Sequence, residues 1–92
     1  MLVQNAKILT KTGTKTGDIL IENGVIAAIG KKLDAKGQTV LDANGLTALP
    51  ALIDLHCHFR TPGFEYKEDI TSGSKAAARG GYTHVTTMAN TK

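Results

Sequence analysis

Ala48-Leu49-Pro50-Ala51-Leu52-Ile53-Asp54-Leu55-His56-Cys57-His58-Phe59-Arg60 is the stretch on which the reading of the whole chain turns. Its first half is apolar and reads as a buried strand; its second half changes chemistry abruptly. Successive side chains of a strand face opposite ways, so His56 and His58 share one face, with Cα atoms roughly 6.6 Å apart. Two neutral imidazoles at that spacing can close on one divalent ion. Arg60 has the same parity, so a strand ending there would set a planar cation beside the metal. Two histidines alone are not a site, and the pair could equally be core histidines, each satisfied by a hydrogen bond. The surrounding chain has to decide.

Downstream, Thr61-Pro62-Gly63 breaks the strand, which runs over Leu52–His58 and is apolar almost throughout, as strands covered on both faces are. A helix is expected from about Asp69 or Thr71, capped by Thr71 or Ser72, carried by the good formers of Lys75–Arg79 and stopped by Gly80-Gly81. Its face of small residues should pack closely on a sheet. Thr83–Met88 reads as a second, β-branched strand, and Asn90 begins the loop after it. Strand, helix, strand is the repeating unit of a (β/α)8 barrel. Active sites of such barrels lie at the C-terminal ends of the strands, and neighbouring strands are roughly 4.8 Å apart. His56, His58, Arg60 and Asn90 could then line one mouth.

Upstream, Pro50 marks a change of structure, since a proline is tolerated at the first residue of a strand. Met1–Leu9 is a short strand candidate and Lys11–Gly17 a Thr/Lys/Gly loop. Asp18–Glu22 and Val25–Ile29 flank Asn23-Gly24, the favoured two-residue hairpin turn, because both residues tolerate positive φ. Thr39–Asp42 and Leu46–Leu49 flank Asn44-Gly45, which suggests a second hairpin. Residues 1–49 therefore read as a small antiparallel β unit and residues 50–92 as a β-α-β unit, giving an α/β chain of two parts. There is no internal repeat and no low-complexity tract.

Composition excludes several classes. Ninety-two residues, 41% hydrophobic and 21% charged, are ordinary for one small domain or a piece of a larger one. A net charge of +3 and a pI near 9.2 could suggest nucleic acid. The lysines are instead scattered from Lys7 to Lys92 with no basic run interleaved with aromatics, so no nucleic-acid partner is expected. One cysteine cannot form an internal disulfide, which fits a reducing compartment. No signal-peptide pattern opens the chain, and no apolar run approaches a membrane span. A soluble, cytoplasmic protein without a membrane partner is expected.

Asp54-x-His56-x-His58 closing an apolar strand resembles the opening signature of the amidohydrolase superfamily of metal-dependent barrels. The longer string His56-Cys57-His58-Phe59-Arg60-Thr61-Pro62-Gly63, then Tyr66-Lys67-Glu68-Asp69, Ala76-Ala77-Ala78-Arg79-Gly80-Gly81 and Met88-Ala89-Asn90-Thr91, resembles dihydroorotase of the bacterial, stand-alone type. Ala51 and Ala89 depart from the usual glycine and proline, at positions that carry no chemistry. The resemblance implies a cyclic-amide hydrolase of pyrimidine biosynthesis that interconverts N-carbamoyl-aspartate and dihydroorotate at a centre of one or two zinc ions. It implies that residues 1–49 are the N-terminal part of a flanking β-sandwich and that the chain is an N-terminal fragment holding the first β-α-β unit of the barrel. It also implies that His56 and His58 are metal ligands and that Arg60 and Asn90 hold the substrate carboxylate. The remaining ligands and the proton-transferring aspartate would lie in later strands, so no catalytic residue is assigned within these residues. A homo-oligomer is expected, with aspartate transcarbamoylase as a candidate partner.

Other residues have plainer readings. Cys57 sits between the histidines but on the opposite strand face, which suits a buried apolar role. His84 stands near the start of its strand, at the wrong end for the site. Asp54 is placed to orient the site by hydrogen bonds rather than to bind metal. Two rival readings remain. One is another cyclic-amide hydrolase such as allantoinase or dihydropyrimidinase, against which Arg60 and Asn90-Thr91 argue. The other is a non-catalytic dihydroorotase-like scaffold for aspartate transcarbamoylase, against which the two retained histidines argue.

Overall fold

Five short strands account for the first forty-nine residues, and two strands with one helix follow Pro50. The computed structural model describes residues 1–89. The chain divides into two compact units, Met1–Leu49 and Pro50–Lys92.

The first unit is one mixed sheet. Strands β1 (Leu2–Thr10), β2 (Gly13–Glu22), β3 (Val25–Gly30) and β4 (Val40–Asp42) lie in the order β3-β2-β1-β4, and β5 (Thr47–Ala48) also pairs with β1. The β2–β3 hairpin forms as its sequence dictates, with Asn23 and Gly24 at φ of 50° and 76°. Two expectations fail. Lys11–Gly17 is not a loop: the turn is confined to Lys11 and Thr12, and the Thr-rich residues from Gly13 join β2 opposite β1. A strand partner outweighs the weak turn signal, because threonine fits a half-exposed ladder well. The second hairpin is also absent, for β4 and β5 pair with β1, both in parallel, and not with each other. The unit is therefore mixed and not antiparallel. Pairing with a central strand extends an existing sheet, whereas an isolated two-stranded hairpin is marginal.

The device that splices β4 and β5 onto β1 is a bulge. Between Val3 and Ala6, β1 gains one residue over β2, and Asn5 takes a left-handed φ of 58°. Opposite it, Asn44 and Gly45, at φ of 47° and 81°, make a matching jog instead of a reversal. Gly45 N–H donates to the Asn5 carbonyl at 2.8 Å and Ala43 N–H to the Gln4 carbonyl at 2.8 Å. Asp42 Oδ1 accepts both Asn44 N–H at 2.8 Å and Asn5 Nδ2 at 3.0 Å. Those bonds, the Asn5 amide foremost, hold the Asp42 carboxyl below its ordinary range. Leu2, Ala6, Ile8 and Leu20 form the small core. Beside them lies the buried carboxylate of Asp18, which accepts the bulged Asn5 N–H at 3.1 Å and Leu33 N–H at 3.0 Å.

The second unit is a β-α-β unit. Strand β6 (Leu52–Cys57) pairs in parallel with β7 (Tyr82–Thr87), and α1 (Ile70–Arg79) packs along β7. The helix starts two residues earlier than capping by Thr71 would give, and three earlier than capping by Ser72. Asp69 is the N-cap; its carboxylate accepts Ser72 N–H at 2.7 Å, and Ser72 Oγ accepts Asp69 N–H at 3.0 Å. The Ser72 amide chiefly lowers the Asp69 pKa. Gly80 caps the other end, and Gly81, at φ 86°, turns the chain into β7. One further expectation needs correcting. The strand read as buried has Leu52, Ile53 and Leu55 at 44, 60 and 72% exposure, because among the described residues β6 has one sheet neighbour, β7, and the helix packs on β7. Two parallel strands are present here, and no closed barrel. None of the described helices is long and apolar enough to cross a membrane.

The Asp18 carboxylate is the polar tie of the first unit. Replacing it with alanine strands two amide donors, which costs about 1–3 kcal/mol. Urea titration of Asp18→Ala should show that loss, and Asp18→Asn, whose carbonyl still accepts, should lose less. A wild-type midpoint for Asp18→Ala would show that these bonds carry no stability.

Candidate metal centre

The β6 ladder is interrupted where the chemistry begins. Asp54 pairs with Val85 and Cys57 with Thr87, so β6 holds one more residue than β7 between these pairs. A bulge of this kind re-aims side chains and frees an amide from the ladder. Here Asp54 Oδ1 accepts His56 N–H at 2.9 Å. Asp54 thus fixes the His56 backbone, an orienting role of the kind its position suggested.

His56 and His58 come together. Their ring centroids are 5.4 Å apart and the rings meet edge to face at 70°. His56 is exposed and His58 half-buried, and His58 Nδ1 is buried with no hydrogen-bond partner among the described residues. A buried ring nitrogen left unpaired costs on the order of 1–3 kcal/mol, so a further partner belongs at this ring. Two converging imidazoles, one with an unmet nitrogen, fit half of a zinc coordination shell. Among the described residues no group of three His, Cys, Asp or Glu side chains is close enough to hold a metal ion. The histidines are therefore a half-site that needs further ligands.

Cys57 stays outside the donor set. Its Sγ faces the Thr86 carbonyl at 3.6 Å. Burial raises its thiol pKa, and the carboxylates of Asp54 and Glu68 raise it further. His84 pairs in register with Ile53, well upstream of the histidine pair, and its Nδ1 lies 3.0 Å from Thr83 Oγ1.

Arg60 is not placed by strand alternation. The strand stops at Cys57, and Arg60 takes a left-handed φ of 65°, its carbonyl accepting Phe64 N–H at 3.0 Å. Its parity with the histidines has no meaning once the chain has left the ladder. Among the described residues its guanidinium makes no ion pair. Asn90 lies outside the described residues.

Two features escaped the sequence reading. Thr61 Oγ1, next to Arg60, is buried without a partner among the described residues. Phe59, next to His58, lays its ring on the first turn of α1 at the buried Gly73, where an added Cβ would meet ring carbon Cδ1 at 2.6 Å. The second was half visible in the small-residue helix face; no sequence signal marks the first. A hollow in the first unit, lined by Asn5, Asp18, Lys31 and Lys32, has no histidine and is no part of this centre.

The family model described as "Dihydro-orotase-like" matches residues 45–92, which include both histidines and Arg60. The chain belongs to this dihydroorotase-like family. It is 50% identical over 93 residues to the dihydroorotase of Ruminiclostridium cellulolyticum, covering 99% of this chain and 22% of that protein. It is 51% identical over 92 residues to the dihydroorotase of Bacillus subtilis, with the same coverage. The L-hydantoinase (dihydropyrimidinase) of Arthrobacter aurescens is structurally similar, with a TM-score of 0.79 at 28% identity over 98% of this chain and 20% of that one. The chain thus spans about a fifth of the length of these relatives.

His56→Ala in the intact protein should remove most bound zinc, read by metal analysis after dialysis, because it deletes one of the paired imidazoles. Cys57→Ser should leave zinc content unchanged. Full zinc in the first variant, or loss in the second, would reverse the two assignments.

Proposed function

We propose that the intact protein carrying this chain is a zinc-dependent dihydroorotase that interconverts N-carbamoyl-L-aspartate and dihydroorotate in pyrimidine biosynthesis, in the cytoplasm. The observation that carries the reading is the pair of imidazoles 5.4 Å apart, followed two residues later by a guanidinium with no ion pair among the described residues. Identity of about 50% to proteins named dihydroorotase supports it. The hydantoinase likeness favours a related cyclic-amide hydrolase as the second reading, at the lower identity of 28%. In this proposal the β-α-β unit opens a (β/α)8 barrel, and the first unit is the N-terminal part of a flanking β-sandwich.

His56 and His58 hold the metal. Zinc, when bound, would lower the pKa of water toward about 7 and polarise the ring carbonyl. Arg60 binds the substrate carboxylate through a two-pronged guanidinium fork, which gives orientation as well as charge. Asn90 adds a neutral donor to the same carboxylate. Asp54 keeps His56 in place through its backbone, and Cys57 turns its Sγ to the Thr86 carbonyl. The remaining ligands, one or two zinc ions and the proton-transferring carboxylate belong to the rest of the protein. A homo-oligomer is proposed, and association with aspartate transcarbamoylase as a further possibility for the assembled enzyme.

Arg60→Lys in the intact protein should raise KM for dihydroorotate and lower kcat/KM by about 1–3 kcal/mol, through loss of a charge-assisted fork. Normal turnover would remove Arg60 from the carboxylate site. Residues 1–92 produced alone should show no dihydroorotase activity with added zinc, since two imidazoles supply half of a four-ligand shell. Exposed Leu52, Ile53 and Leu55 on an unpaired strand edge should also make that piece self-associate in sedimentation. Turnover by the piece, free of longer protein by mass, would contradict the half-site.

A further inference from the structure

The residue after His58 is held by a helix. Phe59 lays its ring against α1 at Gly73, and a Cβ on Gly73 would stand 2.6 Å from ring Cδ1, 2.8 Å from Cε1 and 3.0 Å from Cγ. Carbon atoms in contact prefer about 3.5–4.0 Å, so three ring atoms occupy space that any other residue would need. Gly73 is the buried residue of α1, and its position is set locally. The Asp69–Ser72 capping box starts the helix, and Gly73 N–H makes its first intrahelical bond, to the Asp69 carbonyl at 2.9 Å. Glycine has no helical advantage there, because alanine is the better helix former. Its φ is not left-handed either, so conformational need does not explain it. What remains is the notch.

We propose that the Gly73 notch and the Phe59 ring are the positioning contact of the metal centre, fixing His58 against the first turn of α1. The proposal rests on the zinc reading of His56 and His58. Strand β6 ends at Cys57, where Met88 N–H donates to the Cys57 carbonyl at 2.8 Å and so holds the peptide that leads into His58; beyond that bond the chain turns away from the ladder. The ring of Phe59 is the next fixed point. A Cβ at position 73 pushes that ring outward by about 1 Å, judged against ordinary carbon contact, and carries the adjoining His58 with it. Groups that orient a metal ligand from behind weaken metal binding by roughly 10–100-fold when lost.

The test is a double-mutant cycle in the intact protein, read as zinc affinity by chelator competition alongside thermal unfolding of the metal-free form. Gly73→Ala should weaken zinc at least tenfold, with metal-free unfolding shifted little because alanine favours the helix. Phe59→Ala should weaken it a few-fold by loosening His58. The double variant Gly73→Ala with Phe59→Ala should match Phe59→Ala alone, since alanine lacks the Cγ, Cδ1 and Cε1 atoms that the new Cβ would meet. Unchanged zinc affinity in Gly73→Ala, or additive losses in the double variant, would overturn the contact. Should Gly73→Ala fail to fold, Phe59→Ala introduces no clash, and wild-type zinc affinity in that variant would overturn the proposal equally. A wild-type protein that binds no zinc, or a His56→Ala variant that binds it normally, would instead bring down the metal reading beneath it.

Discussion

Backbone N–H groups removed from a ladder must find another acceptor, and this chain meets that demand with carboxylates. All five aspartates accept a main-chain N–H: Asp18 those of Asn5 and Leu33, Asp34 that of Lys36, Asp42 that of Asn44, Asp54 that of His56, and Asp69 that of Ser72. Asp34 does so inside the loop between β3 and β4; the other four stand where regular structure starts, stops or slips. Such groups left unpaired and shielded from water would cost on the order of 1–3 kcal/mol each, a large fraction of a small domain's margin. The acidic residues are thus spent chiefly on backbone geometry.

The same device connects fold to site. The slip in β6 that frees the His56 amide is closed by Asp54, two residues before it, so His56 is fixed at its main chain. His58 lies just beyond the strand, after a peptide held by Met88 N–H on the Cys57 carbonyl and before Phe59, whose ring sits on Gly73. Arg60 follows in a left-handed conformation that a non-glycine residue adopts only at a cost of roughly 1–2 kcal/mol, and the Phe64 amide on its carbonyl helps to hold it there.

Apolar residues follow a different logic. The first unit hides Leu2, Ala6, Ile8 and Leu20, whereas in β6 Leu52, Ile53 and Leu55 stand open. The whole chain corresponds to about a fifth of the length of the related proteins. A parallel strand with one neighbour has neither face covered, which is why a sequence that reads as buried is exposed among the described residues.

Local chemistry was legible from the sequence. Asn23-Gly24 forms its hairpin, the glycines end α1, and the His-x-His spacing brings two rings together, because each depends on a few adjacent residues. Pairing choices were not. Asn44-Gly45 carries the same hairpin signal as Asn23-Gly24, yet β4 and β5 run along β1, since β1 offered acceptors that the turn itself could not see. The parity of Arg60 with the histidines failed for a like reason, because strand alternation ends where the ladder ends. The sequence by itself determined which chemical groups the chain brings and roughly where each element begins. Tertiary structure alone decided which strand accepts which amide, and that a glycine on α1 is where Phe59 comes to rest. Hydrogen-bond partners and close contacts between residues far apart in the chain are settled by competition in space, and periodicity carries no record of that competition.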